Sequence, residues 1–80
     1  MSIPDDLSRA LHLARERDWD QAARLVQDID HQVAFWIHAV VHKVEGDAEN
    51  SRYWYQRAGK LDHFSMEPGA ELELIAKALG

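Results

Sequence analysis

The sequence predicts an all-α protein of four to five helices, arranged as stacked antiparallel helical hairpins. Apolar residues recur at the three- and four-residue spacing of amphipathic helices along most of the chain. Aspartate or glycine stands where one such pattern ends and the next begins, as is typical of helix ends. The alternating pattern of strands is almost absent. Because the chain has 80 residues, we expect one small helical domain over residues 1–80.

Two helices make up the first predicted hairpin. The first spans residues 5–17, with Pro4 in its first turn, where a missing N–H group costs nothing. Its apolar stripe consists of Leu7, Ala10, Leu11 and Ala14. Asp18 is expected to cap the second helix, and Gln21 completes the spacing of a capping box. Trp19 either closes this corner or, if it is exposed, anchors a partner. The buried stripe of the second helix consists of Ala22, Leu25, Val26 and Ile29.

The second predicted hairpin follows directly. Asp30 is expected to cap the third helix, which runs from residue 31 to about Val44. Gly46 ends it, because glycine readily takes the left-handed conformation found after a helix. Asp47 begins the fourth helix one residue later, and Gly59 ends that helix. The apolar side of the third helix carries Val33, Ile37, Val40 and Val44. The core side of the fourth carries Ser51, Trp54, Tyr55, Ala58 and Leu61.

A last helix is predicted after a loop from Lys60 to Pro68. It spans Ala70 to Leu79. Its inward-facing residues are expected to be Leu72, Ile75, Ala76 and Leu79. Two hairpins and this final helix would bury a continuous core, as short solenoids do.

An internal correspondence links the two hairpins. Shifting the sequence by 29 positions superposes Asp18 on Asp47 and Gln27 on Gln56. Each copy consists of a helix, a corner that ends in aspartate, and a second helix. This organisation is typical of helical-hairpin repeats, although the period is shorter than the roughly 34 residues of a tetratricopeptide unit.

A run of polar and aromatic residues surrounds the second corner. It consists of a histidine, then Glu-Gly-Asp, an asparagine, and Tyr-Trp-Tyr-x-Arg-Ala-Gly. This run resembles the second helix of tetratricopeptide and Sel1-like repeats, and it is similar to the signature of a family of small helical proteins. The resemblance implies a tetratricopeptide-like helical hairpin and no particular activity. The matching residues are His42, Glu45, Gly46, Asp47, Asn50, Tyr53, Trp54, Tyr55, Arg57, Ala58 and Gly59.

The candidate site lies on the same two helices. A polar face of the third helix carries three histidines, His31, His38 and His42, together with Glu45. Because the hairpin is antiparallel, we expect the side chains of the two helices to meet in pairs beside Trp54. The expected pairs are Glu45 with Asn50, His42 with Tyr53, and His38 with Arg57. The predicted binding groove therefore consists of His38, His42, Glu45, Asn50, Tyr53, Trp54 and Arg57.

Three functions are compatible with this groove. The first prediction is an interaction module that binds another protein or a peptide. The alternative is a metal-binding or hydrolytic protein, in which His38, His42 and Glu45 hold a metal ion, or His42 and Glu45 transfer protons. No catalytic residues are assigned, because no nucleophile stands with a base and an orienting acid, and no cofactor is expected. The third is assembly alone, for example as a homodimer, because the third helix is apolar over more than half of its circumference.

Composition argues against several other classes of protein. The net charge is −5, and basic residues never form a dense block, so we expect no nucleic-acid partner. Without cysteine, the chain has neither disulfides nor thiolate zinc sites. The longest apolar stretch, residues 33–41, is short and contains His38, so neither a membrane span nor a signal peptide is expected. These features are compatible with a cytoplasmic protein.

Overall fold

A computed structural model describes residues 3–79. In this part of the chain the structure consists of five α-helices and one 3₁₀ turn, with no strand. The helices are α1 (Ile3–Arg15), α2 (Trp19–Val26), α3 (Gln32–Val44), α4 (Ala48–Ala58) and α5 (Pro68–Leu79), and the 3₁₀ turn is Leu61–His63. The predicted all-α class is confirmed. No helix within the described range combines the length and the hydrophobicity needed to cross a lipid bilayer.

The corner between α1 and α2 is closed by the two backbone hydrogen bonds of a Schellman motif. The N–H group of Arg17 donates to the carbonyl of Ala14 (3.0 Å), and that of Asp18 donates to Leu13 (2.9 Å). This motif requires a left-handed residue, which here is Arg17 with φ of 66°. The Asp18 carboxylate then accepts from the backbone N–H of Gln21 at 3.4 Å, as expected of an N-cap.

The corner between α3 and α4 repeats these bonds 29 positions later. The N–H group of Gly46 donates to Lys43 (3.1 Å), and that of Asp47 donates to His42 (2.9 Å). The Asp47 carboxylate caps α4 by accepting from the backbone N–H of Asn50 at 3.3 Å. The left-handed residue in this corner is Gly46, with φ of 84°. The correspondence found in the sequence therefore extends to the backbone of both corners.

The start of α3 differs from the prediction. Asp30 was expected to be its N-cap, and this was wrong, because His31 occupies that position with extended backbone angles. Its ring nitrogen Nδ1 accepts a hydrogen bond from the backbone N–H of Val33 at 3.0 Å. A neutral imidazole has one unprotonated nitrogen, so it satisfies the free N–H group as a carboxylate would.

The connection between α4 and α5 also differs from the predicted loop. Gly59 ends α4 as expected, with φ of 70°, but Leu61–His63 then forms a 3₁₀ turn, and α5 already begins at Pro68. Because the chain changes direction at Gly59, Leu61 leaves the helical phase and is exposed rather than buried in the core. Val44 was also expected in the core, yet it is 38% exposed at the last turn of α3.

Helix α3 lies at the centre of the molecule and packs against the other four helices. Seven of its residues are buried: Val33, Ala34, Trp36, Ile37, Ala39, Val40 and Val41. Helix α5 folds back against α1 and α3, with Leu72 and Ile75 buried as predicted. This packing covers much of the apolar circumference of α3.

A buried carboxylate fastens α5 to α3 and α4. Glu71 is fully buried, and its oxygens accept from Trp36 Nε1 (2.7 Å) and from the Tyr55 hydroxyl (2.6 and 2.7 Å). The ammonium group of Lys43 donates to the same carboxylate at 2.6 Å. Burial, and then the hydrogen bond and charge of Glu71, raise the pKa of the Tyr55 phenol well above its ordinary value, so it remains a donor. This network sets the position of α5.

Lys43 also holds the connection that leads into α5. Its ammonium group donates to the carbonyl of His63 at 3.2 Å and to that of Met66 at 2.8 Å. All three donor positions of the ammonium group are therefore used, and a single side chain of α3 organises both the turn and the helix that follows it.

Candidate functional site

Several predicted site residues meet on the outer surface of the α3–α4 hairpin, where their rings stack. The imidazoles of His42 and His38 are nearly parallel, with centroids 4.8 Å apart, and His38 lies 4.1 Å from Trp54. Phe35 is 5.8 Å from Trp54, and Tyr53 meets Trp54 edge to face at 5.2 Å. Together with Arg57, these residues are termed the aromatic patch: Phe35, His38, His42, Tyr53, Trp54 and Arg57.

Arg57 lies over the rings of this patch. Its guanidinium carbon is 4.4 Å from the centroid of Phe35, 5.0 Å from Trp54 and 5.9 Å from Tyr53. The sequence predicted a pairing with His38, but His38 stacks against Trp54 instead. A planar guanidinium gains from aromatic faces as well as from charge, so this position is favourable for Arg57 even without a salt bridge.

Glu45 and Asn50, the predicted groove residues nearest the corner between α3 and α4, lie at the edge of the aromatic patch. The side-chain amide of Asn50 donates to Asp47 Oδ2 at 2.7 Å, rather than pairing with Glu45. The side-chain and then the backbone hydrogen bond from Asn50 lower the pKa of the Asp47 carboxyl. His42 Nδ1 lies 3.4 Å from Glu45 Oε1. This ring nitrogen is buried, and no acceptor or donor in the described part of the chain meets it in hydrogen-bonding geometry. Glu45 and Asn50 therefore border the patch and do not join the stack.

The stacking of His38 and His42 bears on the metal-binding alternative. Lone pairs of an imidazole lie in the ring plane, so those of two stacked rings lie in nearly parallel planes. They do not converge on one point, as the ligands of a single metal ion must. Within residues 3–79, no group of three or more histidine, cysteine, aspartate or glutamate side chains is placed to hold a metal ion. The observed arrangement favours ring stacking over shared coordination.

The hydrolytic alternative lacks an accessible serine in the hairpin. Ser51 is fully buried, as predicted, and its hydroxyl donates to the carbonyl of Ala39 at 2.8 Å. This bond joins α4 to α3 in the interior, so the Ser51 hydroxyl cannot reach a substrate.

A shallow hollow of about 150 Å³ adjoins the patch. It is lined by Gln27, Asp28, Ile29, Asp30, Phe35, Trp54 and Arg57. Neither Phe35 nor the segment before α3 belongs to the binding groove predicted from the sequence. Phe35, His38 and His42 follow the i, i+3, i+7 spacing of one helix face, which was a detectable signal.

His38 makes the stability of the protein sensitive to acid. Burial, and then the adjacent His42, lower the pKa of His38 to about 4. In the unfolded chain a histidine titrates near pH 6.5. Between these values the unfolded state takes up a proton that the folded state does not, so stability is lost as the pH falls.

We therefore expect the variant His38→Phe to lose less stability on acidification than the wild type. An aromatic ring remains at this position, and the titrating imidazole is removed. The free energy of unfolding is measured with urea at about pH 7 and at about pH 4.5. Between these pH values it should fall by about 1 kcal/mol less in the variant than in the wild type, after allowance for solvent screening. His12→Gln, at an exposed position on α1, is the control. Equal pH dependence in wild type and His38→Phe would contradict the prediction.

The structure thus brings together five of the predicted residues, His38, His42, Tyr53, Trp54 and Arg57. Comparisons of the sequence and structure with protein-family models, curated proteins and solved structures found no match. The function is therefore inferred from the geometry of this chain alone.

Proposed function

We propose that this protein is a helical interaction module that binds another protein or a peptide through the aromatic patch. The observation that carries the proposal is the set of tyrosine, tryptophan and arginine side chains on the outside of the α3–α4 hairpin. Tyr53 is 51% exposed, and Arg57 is exposed above the rings. Tryptophan, tyrosine and arginine dominate the binding energy of protein interfaces.

The stacking prepares these side chains for binding. The Trp54 ring is held by His38 on α3 and by Phe35, so it has little rotational freedom to lose. Arg57 is similarly restrained by three rings. Binding costs less entropy when the contact groups are already ordered, and this supports a role for the patch as a preformed contact surface.

The surroundings of the patch indicate the chemistry of the partner. Asp28 and Asp30 line the hollow on one side, and Glu45 and Asp47 lie beside His42 on the other. Complementary charge speeds association and excludes wrong partners. We therefore expect a partner segment with an apolar or aromatic side chain at its centre and lysine or arginine around it.

A selection from a library of random peptides tests the proposal. Peptides are selected on the wild-type chain alone, and the selected peptides are then tested for binding to the double variant Trp54→Ala/Arg57→Ala. Calorimetry then gives the affinity of a selected peptide for each single variant. Because these side chains lie at the centre of the patch, Trp54→Ala or Arg57→Ala should weaken binding by about tenfold or more. Circular dichroism verifies that each variant is folded.

Leu74→Ala provides the matched control, because Leu74 is an exposed apolar residue on α5, outside the patch. Its affinity for the peptide should equal that of the wild type. Peptides that bind the double variant as tightly as the wild type would refute the proposal. If binding of the selected peptides requires Trp54 but the peptides are acidic, the patch is still the binding surface, and the expectation of a basic partner is wrong.

A further inference from the structure

A second groove lies where the C-terminal ends of α1 and α3 meet the N-terminal end of α5. Its volume is about 570 Å³, within the range of sites that bind small molecules. Its apolar lining consists of Ala14, Trp19, Val44, Pro68 and Leu72. Its charged rim consists of Arg15, Arg17, Glu67 and Glu73. None of these residues belongs to the aromatic patch, so the groove is a separate feature.

Arg17 occupies an unusual backbone position for its residue type. Its φ of 66° falls in the left-handed region, which glycine adopts more readily than any residue with a side chain. The equivalent residue in the second corner, 29 positions later, is Gly46. The backbone hydrogen bonds of the two corners are the same, so they do not explain why the first corner has arginine where the second has glycine. This long cationic side chain lines the groove.

The other charges of the rim are already engaged. The guanidinium of Arg15 donates to both oxygens of Glu73 at 2.9 Å. The Glu67 carboxylate accepts from the backbone N–H groups of Gly69 (2.9 Å) and Ala70 (2.8 Å). These two bonds hold the pKa of the Glu67 carboxyl below its usual range, and the charge of Arg17 contributes less.

Arg17 is attracted by the charge of Glu67 but makes no direct bond to it. Among residues 3–79 it forms no salt bridge and no side-chain hydrogen bond. A guanidinium binds a carboxylate through two parallel hydrogen bonds. Glu67 and Glu73 stand on the same rim, and they would repel an anion of higher charge. The groove therefore suits one negative charge at the rim and an apolar body inside.

We propose that this groove binds a small hydrophobic carboxylate, with its charged group on Arg17 and its apolar body against Trp19, Val44 and Leu72. The indole of Trp19, which the sequence marked as either a corner residue or an anchor, forms one wall of this site.

Nuclear magnetic resonance of the full chain tests the proposal with two probes of the same chain length and opposite charge, octanoate and octylammonium. The indole N–H of Trp19 and the amide of Gly69 report on the groove, while the indole N–H of Trp54 reports on the aromatic patch. We expect octanoate to shift the Trp19 and Gly69 resonances in a saturable way. Octylammonium should bind about tenfold or more weakly, because it cannot pair with Arg17.

Variants at Arg17 supply the controls. Arg17→Gly introduces the residue of the second corner, so it should remain folded, and it should weaken octanoate binding by about tenfold. Arg17→Lys keeps the charge but loses the two parallel hydrogen bonds, so its affinity for octanoate should lie between those of the wild type and Arg17→Gly. Arg24→Gln removes an exposed cation on α2 and should change nothing. The proposal is overturned if octanoate leaves Trp19 unshifted, if both probes bind equally, or if Arg17→Gly binds octanoate as the wild type does.

Discussion

Replacing Glu71 by alanine is expected to lower the free energy of unfolding by about 3–5 kcal/mol, because it leaves the Lys43 charge without its buried partner. The hydroxyl of Tyr55 and the indole N–H of Trp36 lose their acceptor in the same change. A loss of this size is comparable with the whole stability of a small domain, roughly 0.05–0.15 kcal/mol per residue. Urea unfolding followed by circular dichroism measures it.

The control lies two residues further along α5. Glu73→Ala removes a carboxylate from an exposed pair with Arg15, whose side chains are 42% and 65% accessible for arginine and glutamate, respectively. A surface pair contributes about 0–1 kcal/mol, so this variant should remain close to the wild type. If Glu71→Ala is too unstable to measure, Tyr55→Phe removes a single donor and should cost about 1–2 kcal/mol. Equal effects of Glu71→Ala and Glu73→Ala would show that the buried network does not hold α5.

The second large effect is expected at the centre of α3. Ile37 is fully buried where the surrounding helices meet, so Ile37→Ala should lose apolar contacts and leave a cavity, at a cost of about 2–5 kcal/mol. Leu74 has a side chain of the same size but is 36% exposed on α5. Leu74→Ala should therefore cost about 0.5 kcal/mol or less. Similar losses for the two variants in urea unfolding would contradict the central position of α3.

Much of the fold was predictable because its signals are local. The caps Asp18 and Asp47 and the stops Gly46 and Gly59 act on backbone groups within a few residues, and the structure has them in the expected roles. The error at Asp30 has the same origin. Asp30 and His31 can each accept a hydrogen bond from the first free N–H groups of α3. Which of them is the N-cap depends on a shift of one residue in the start of the helix.

The Glu71 network was not predictable in this way. Glutamate near a helix start ordinarily faces solvent, and nothing beside Glu71 in the sequence indicates otherwise. Its partners Trp36, Lys43 and Tyr55 come from α3 and α4, and only the return of α5 across α3 brings them together. The charge was visible in the sequence, but its burial depended on the topology.

The candidate site was predictable in part. Helical spacing placed His38 and His42 on one face and located Trp54 beside them, as observed. The position of Arg57 over the rings depends on side-chain geometry that spacing does not determine. The second groove depends on where the N-terminal end of α5 lies relative to Trp19, which the sequence left open.

The contact between α1 and α5 has a consequence for the order of folding. Each hairpin joins neighbouring segments, so little chain entropy is lost when its two helices meet. The pairing of α1 with α5 instead closes a loop over nearly the whole described chain. Contacts between distant segments form slowly for this reason. We expect the two hairpins to assemble first and α5 to dock last, so that the nascent protein passes through a state in which the central helix is still uncovered on one side.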